Sequence, residues 1–511
     1  MNQFLESTND VLVEVSSFVW GEFLLIPILL AAGIYMTVRL GLLQFIRLLP
    51  ALRLGLIQRK DEGSSGDISQ FQSLTTALAA TVGTGNIVGV ATAIAVGGPG
   101  ALFWMWVTGI LGMALKYSEA FLGVRFRTTD AAGEKSGGPQ YYLERGIRGR
   151  LMGPVGKFLA IWFSVFAFLA SFGIGNMTQG NSIASNLEHS FNVPTWLTGA
   201  VLVVFVGVSL IGGIKSIGKV TSGFVPVMIV FYVAASIYIL IVNAEAIPQA
   251  LGMVFTDAFT GTAAMGGFIG SVLMEVVKMG MARGMFSNES GMGSAAIAAA
   301  AAQTSHPVRQ GLVSMTQTFI DTIIVVTCTG LVIVTTGVWQ LGGDNDPALM
   351  TGEAFTTGLP GEWGHYIVTL GLILFASSTM LGWAYYGERN AERLVGRRGV
   401  LPYRVLFTAV VFLGCTMELE LVWNFADIMN GLMALPNIIG IVILSGLIAR
   451  ETKRYLRHDP NLRATGAEVS QFMADDAGYR EWRREEEASE SIAAAKREGR
   501  MGRSARDAMT P

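Results

Sequence analysis

Two short, polar, glycine-rich segments interrupt long apolar stretches of this chain: Gly83-Thr84-Gly85-Asn86 inside the run 70–97, and Gly284-Met285-Phe286-Ser287-Asn288 inside the run 263–302. Lipid offers no hydrogen-bond partners, so an opened turn at membrane depth survives only where protein or a ligand takes up the freed backbone groups. Opening a helix exposes N–H groups on one half, which favour a carboxylate, and carbonyls on the other, which favour an ammonium or Na⁺. Two such breaks meeting at midplane make a site for a zwitterion without any charged side chain. Asn86 and Asn288 add amide groups, Thr81, Thr84 and Ser287 add hydroxyls, and Phe286 is a candidate wall or gate. Few acidic or basic side chains fall near either break in the sequence, which favours a neutral amino acid over a charged one.

A third polar cluster lies in the segment FASSTMLGWAYYGE, where Ser377, Ser378 and Thr379 are followed one helical turn later by Trp383. Its hydroxyls either bond back to their own helix or supply oxygen ligands to an ion. Phe172, Asn176 and Gln179 are placed to line the same cavity. Arg283 and Lys278, with Glu275 three residues before Lys278, read either as a structural ion pair or as a gating pair. Lys116 is expected near a helix end, where its ammonium can snorkel to the interface.

The elements that position these groups are membrane helices. The chain has 511 residues, 51% hydrophobic and only 14% charged, with 62 glycines and a net charge of −2. Soluble domains average roughly 25% charged. The two cysteines, Cys328 and Cys415, both fall in apolar stretches, so no disulfide framework is indicated. The N-terminus has no basic region of the kind that precedes a cleaved signal. A span needs about 20 apolar residues, which predicts eleven: 17–38, 70–97, 99–124, 154–178, 194–213, 219–243, 263–302 (broken), 309–338, 364–387, 402–420 and 427–449. The segment 41–57 is apolar but carries Arg47 and Arg53, and is expected to lie at the interface.

Basic residues follow the first, third, fifth, seventh, ninth and eleventh spans, whereas the alternate connections 1–16, 178–194, 243–262, 339–363 and 418–427 hold no Lys or Arg. That alternation predicts an outer N-terminus and a cytoplasmic C-terminal tail. A shift of 202 residues lays Asn86 on Asn288, Gly89 on Gly291, Ala93 on Ala295 and Glu119 on Asp321, with 33 residues from break to acid in both halves. An odd number of spans per repeat requires inversion. The predicted fold is therefore all-α, with an N-terminal helix and interfacial segment (1–68), a five-helix repeat (69–243), its inverted copy (244–450) and a charged, solvated tail (451–511) holding one helix at 478–500.

Several chemistries are excluded. Residues 213–220 nearly match a phosphate loop but end in Val220 and follow no strand. The four histidines lie far apart, without metal-ligand spacing, and no nucleophile elbow is present. Neither catalysis nor nucleic-acid binding is indicated.

The segments TALAATVGTGNIVGVATAIAVGGPG, GGPQYYLERG, FGIGNMTQGNS, GGIKSIGK, RGMFSNESGMGSAAIAAAAAQTSHPVRQ and STMLGWAYYGE resemble the alanine/glycine:cation symporter family over about 18–453. The resemblance implies a leucine-transporter-like fold. It implies that Gly83, Thr84 and Gly85 offer N–H groups to a substrate carboxylate, and that the Thr81 carbonyl and Gly284 to Ser287, Phe286 included, meet the amine. Gln179, Thr379 and Trp383 would close the pocket, and Na⁺ would sit between the Ala79 and Val82 carbonyls and the Ser378 and Thr379 hydroxyls. The chain reads Asn288-Glu289-Ser290-Gly291 where many members have Ala in third place. The expected function is Na⁺-coupled import of alanine or glycine across a bacterial-type inner membrane. A proton-coupled symporter, with Glu119, Asp321 or Glu275 as the titrating group, and a channel or receptor are the alternatives.

Overall fold

The computed structural model describes residues 2–21, 24–61, 63–150, 152–260, 269–340, 347–417 and 419–497. Apart from short helical turns and the loop helix Pro139–Gly146, their helices in chain order are α1 (Asn2–Val19), α2 (Leu25–Arg39), α3 (Gln70–Thr81), α4 (Gly85–Gly97), α5 (Gly100–Arg125), α6 (Gly153–Phe191), α7 (Thr195–Leu210), α8 (Gly213–Val242), α9 (Ile247–Thr260), α10 (Ile269–Asn288), α11 (Ala295–Ala300), α12 (Pro307–Thr336), α13 (Pro347–Gly358), α14 (Gly364–Val395), α15 (Val400–Thr416), α16 (Leu419–His458), α17 (Gly466–Phe472) and α18 (Ala477–Arg497). A two-stranded hairpin, Thr128–Thr129 with Lys135–Ser136, is the one sheet among the described residues.

Six described helices are long and apolar enough to cross a membrane, and the bent pair α3–α4, 55° apart, makes a seventh. Eleven spans are not reached by length and apolarity alone. The reason is visible in α5, which is buried without interruption from Gly112 to Arg125 and so carries Lys116, Glu119 and Arg125 without facing lipid. The segment 41–57 forms short helical turns, Leu43–Ile46, Leu48–Leu52 and Arg53–Gln58, and not a span.

Helix α3 begins at a capping box, with Ser69 and Gln72 each bonding the other's backbone N–H. It ends where Val82 turns extended (φ −74°, ψ 90°), opening the first break. The second break lies later than the sequence indicates. Helix α10 continues through Gly284 to Asn288, and the chain opens over 289–294, with Glu289, Gly291 and Gly293 at φ 54°, 88° and 85°. Gly284 serves a different purpose. A Cβ there would collide with Thr108 Oγ1 and lie 3.1 Å from Met105 Cα, so its glycine lets α10 cross α5 closely.

The tail is not a solvated appendage. Trp482 is 2% and Glu486 2% exposed. Glu486 accepts from Arg127 Nε (2.8 Å), and Arg127 also donates to the Ala300, Ala302 and Ser65 carbonyls. Lys135 reaches Glu490 at 2.6 Å, and Arg309 pairs with Asp61 and Asp459 at 3.0 and 3.3 Å. Acidic residues of the tail thus neutralise basic loops, and the connections expected on one side of the membrane meet on one face of the molecule.

His306, just before α12, stacks on Tyr455 and Tyr479 and meets Trp482 edge-on. Burial pushes its pKa down from 6.5 to about 3, against the pull of Asp476 and with the push of Arg309 and Arg125. The docked tail therefore binds fewer protons than the released one. Docking is at full strength above pH 6.5 and weakens as pH falls from there toward 3. Amide exchange over 477–497, corrected for intrinsic rates, is expected to rise between pH 7.5 and 5.5; unchanged protection removes His306 from the tail's stability.

Candidate substrate and ion site

The first break is built against α6 and α14. Gln179 Oε1 accepts from Thr84 N (3.1 Å) and Thr84 Oγ1 (2.7 Å), and Asn86 Oδ1 accepts from Gly83 N (2.9 Å). A Cβ on Gly83 would strike Thr379 Oγ1, so only glycine brings this backbone against α14. One on Gly85 would lie 3.0 Å from Ser287 Cα and 3.2 Å from Phe286 Cδ1, which puts the first break directly against the end of α10.

Beside it, four oxygens named by the sequence converge. Thr379 Oγ1 lies 3.0 Å from the Ala79 carbonyl and 3.5 Å from that of Val82, and Ser378 Oγ lies 3.3 Å from that of Ala79. Both hydroxyls also bond back to Phe375 O, at 2.8 and 3.0 Å. The two readings of this cluster are therefore not exclusive: back-bonding orients the same oxygens toward α3. Carbonyls and hydroxyls of this kind suit a hard cation.

Trp383 Nε1 donates to Glu289 Oε1 at 2.6 Å. Its Cβ packs so closely on Gly175 that no side chain fits there. Gly175 falls in a π-helical stretch of α6, Gly173–Met177. Thr81 turns its hydroxyl away from the break, accepting from Gln317 Nε2 at 2.8 Å and donating to Ala77 O.

Three expected site residues, Phe172, Asn176 and Gly284, lie elsewhere. Phe172 belongs to an aromatic cluster with Phe168, Tyr403 and Phe407, at centroid distances of 5.2, 5.6 and 6.0 Å. Asn176 donates to Phe407 O. Gly284 faces α5, as above. Lys278 and Glu275 are partly exposed and 3.8 Å apart. Arg283 instead forms a two-pronged pair with Asp427 of α16 at 2.9 and 3.1 Å, its guanidinium 4.7 Å from the Trp423 ring, and Phe286 packs at a tilt on Trp423, ring centres 4.6 Å apart.

The largest departure from the sequence reading is the charge at the breaks. Asp321 sits in a π-helical stretch of α12, Phe319–Val326, a local feature frequent at functional sites. It accepts from Asn86 Nδ2 and Ser287 Oγ at 2.8 Å each and from Thr322 Oγ1 at 2.9 Å, touching both broken helices. Glu119 does the converse, accepting from Gly293 N (2.9 Å) in the second break and Asn437 Nδ2 (3.1 Å). Lys116 does not snorkel. It is fully buried, 3.2 Å from Glu119, and donates to Glu289 O at 3.1 Å. The acids that a 202-residue shift equates thus each brace the break of the opposite half. Break-to-acid spacing was the available signal, but depth along the helix placed Asp321 too far out. Thr84, Asn86, Gln179, Ser287, Asp321, Thr379 and Trp383 are all buried.

Residues 5–468 match the model of the family described as "Sodium:alanine symporter family". The chain is 51% identical over 443 residues (86% of this chain, 96% of the other) to the "Sodium/alanine symporter AgcS" of Methanococcus maripaludis. It is 36% identical over 459 residues (89% and 92%) to the "Probable sodium/glutamine symporter GlnT" of Bacillus subtilis. Among solved structures, MhsT in complex with L-phenylalanine aligns with a TM-score of 0.53 at 15% identity, covering 85% of this chain and all of that one, a likeness of fold alone.

Proposed function

Because the chain belongs to the sodium:alanine symporter family, and is thus a multi-pass amino-acid:cation symporter of leucine-transporter-like fold, we propose that it imports alanine or glycine with Na⁺ by alternating access. The halves 69–243 and 244–450 are its inverted repeats, and the membrane is a bacterial-type inner membrane with the tail face cytoplasmic. The observation that carries the reading is the set of Ala79, Val82, Ser378 and Thr379 oxygens at the opened end of α3, one residue from the glycine backbone of the substrate half-site.

Asn86 Oδ1 and Gln179 Oε1 occupy the Gly83 and Thr84 N–H groups. They stand where a substrate's two carboxylate oxygens would be received, so binding exchanges neutral acceptors for a charged one, and charge-assisted bonds are about twice as strong. Trp383 and Phe286 limit the side chain to a small one. Bound Na⁺ couples to transport only if it favours the substrate-competent state over the other.

Labelled L-alanine uptake into proteoliposomes, under an inward Na⁺ gradient, K⁺ or an inward proton gradient, with excess glycine or L-glutamine as competitor, tests the reading. Accumulation with Na⁺ alone, blocked by glycine and not by glutamine, is expected. Asp321, a buried carboxylate touching both broken helices, favours proton coupling as the second reading, and accumulation with protons alone would select it. Gly83→Ala is expected to abolish uptake at normal membrane abundance, since the new methyl displaces Thr379 from the ion site; wild-type uptake would disprove that packing argument.

A further inference from the structure

At the tail-facing end of α2 and α16 the two helices diverge around a cavity of about 510 Å³. Arg39, Gly41, Ala449, Thr452, Lys453 and Arg457 line it. Three of these are cations, and among the described residues none of the three forms an ion pair. Their neighbours on the same helix do: Arg454 pairs with Asp476, and Glu451 with Arg125. All three are exposed to solvent, and because like charges gathered without a counter-ion repel one another, an anion from outside the chain is favoured there.

The geometry narrows its class. The Arg39 guanidinium crosses from α2 to α16, 3.8 Å from where a Gly446 Cβ would stand. The chain reverses at Gly41 (φ 66°), where a Cβ would meet nothing, so the cavity is open on that side. One turn deeper, Tyr35 Oη bonds Ser445 Oγ at 2.9 Å and ties the helices together. Around that tie the surface is apolar and exposed, with Ile34 53%, Val38 71% and Val442 40% accessible. A cationic cavity therefore opens at the end of an apolar track, where the lipid-facing helices give way to the charged stretch of α16.

We propose that this cavity is a site for the phosphodiester head group of an anionic membrane lipid, the phosphate held by Arg39, Lys453 and Arg457 and the acyl chains lying along the apolar face of α2 and α16. A soluble phosphate shares the charge but has no use for the apolar track. Basic pockets between membrane helices recognise such head groups, each Lys or Arg strengthening binding about fivefold.

The test uses the full-length protein in detergent. Phosphatidylglycerol, phosphatidylcholine and inorganic phosphate are titrated while thermal unfolding is followed, and lipid retained through purification is counted by native mass spectrometry. Phosphatidylglycerol alone is expected to raise Tm saturably and to be retained. The Arg39→Gln/Lys453→Gln/Arg457→Gln variant is expected to weaken that binding about a hundredfold, and the charge-retaining Arg39→Lys/Lys453→Arg variant to keep it. Equal shifts with phosphatidylcholine, an equal shift with inorganic phosphate, or phosphatidylglycerol binding undiminished in the neutralised variant would each overturn the proposal. Should the neutralised variant fail to fold, loss of retained phosphatidylglycerol from the charge-retaining pair would overturn it as well.

Discussion

Asp321→Asn is expected to lower amino-acid uptake tenfold to a hundredfold while the protein inserts at normal abundance. Asp321 accepts three bonds, from Asn86, Ser287 and Thr322, and an amide has only one oxygen. Its NH₂ then faces donors, leaving at least one buried donor unpaired at about 1–3 kcal/mol, where 1.4 kcal/mol is a factor of ten. The cost falls on the contact between the two broken helices, so it reads out in transport. Glu119→Gln makes the contrast. Glu119 compensates Lys116, which is wholly buried, and a buried cation left alone costs about 3–5 kcal/mol. That variant is expected to lose protein from the membrane before its kinetics can be measured. Uptake per inserted molecule separates the two: wild-type rates in Asp321→Asn would remove this carboxylate from the site, and normal abundance of Glu119→Gln would show that Lys116 does not depend on it.

How far residues alone lead is clearest at the two breaks. The first is legible because Gly83-Thr84-Gly85-Asn86 packs several helix-breaking or polar groups into one turn, and the structure opens the chain there. The second is displaced by five residues, because glycine in a membrane helix has two uses that composition cannot separate. Gly284 permits a close crossing with α5, whereas Gly291 and Gly293 take the left-handed backbone that opens the chain. The gathering of Thr84, Gln179, Thr379 and Ala79 around one pocket followed from type and resemblance, though not the bond of Thr84 to Gln179. Asp321, Glu289 and Lys116 did not, because their neighbours come from helices far away in sequence, and counting residues from a span's end gives depth but not direction. The pairing of Arg283 with Asp427, while Lys278 stays beside Glu275, is the same lesson on a partly exposed face.

Trp482→Ala is expected to release the tail from the membrane domain. The indole is buried against His306, Tyr479 and Arg127, and truncating a buried Trp costs about 3–5 kcal/mol, enough to shift the docking equilibrium by roughly two to four orders of magnitude. Brief trypsin treatment of the purified protein should then cut after Arg483 and Arg484 at low enzyme ratios that leave the wild type intact; equal resistance would mean that the ion pairs hold the tail alone. The consequence reaches the site through Arg127. That one guanidinium binds Glu486 of the tail, Ser65 just before α3, and the Ala300 and Ala302 carbonyls at the end of α11. The two broken helices thus meet on the tail face at a residue that the tail itself neutralises. Without Glu486 beside it Arg127 is a buried cation holding only carbonyls, and the junction of the two halves loosens on the face where the second broken helix ends. A tail of this composition reads as solvated because its charges are matched by loops that no local pattern reveals; Trp482 and Tyr479, aromatic residues recurring among charged ones, were the sign that one face of its helix is covered.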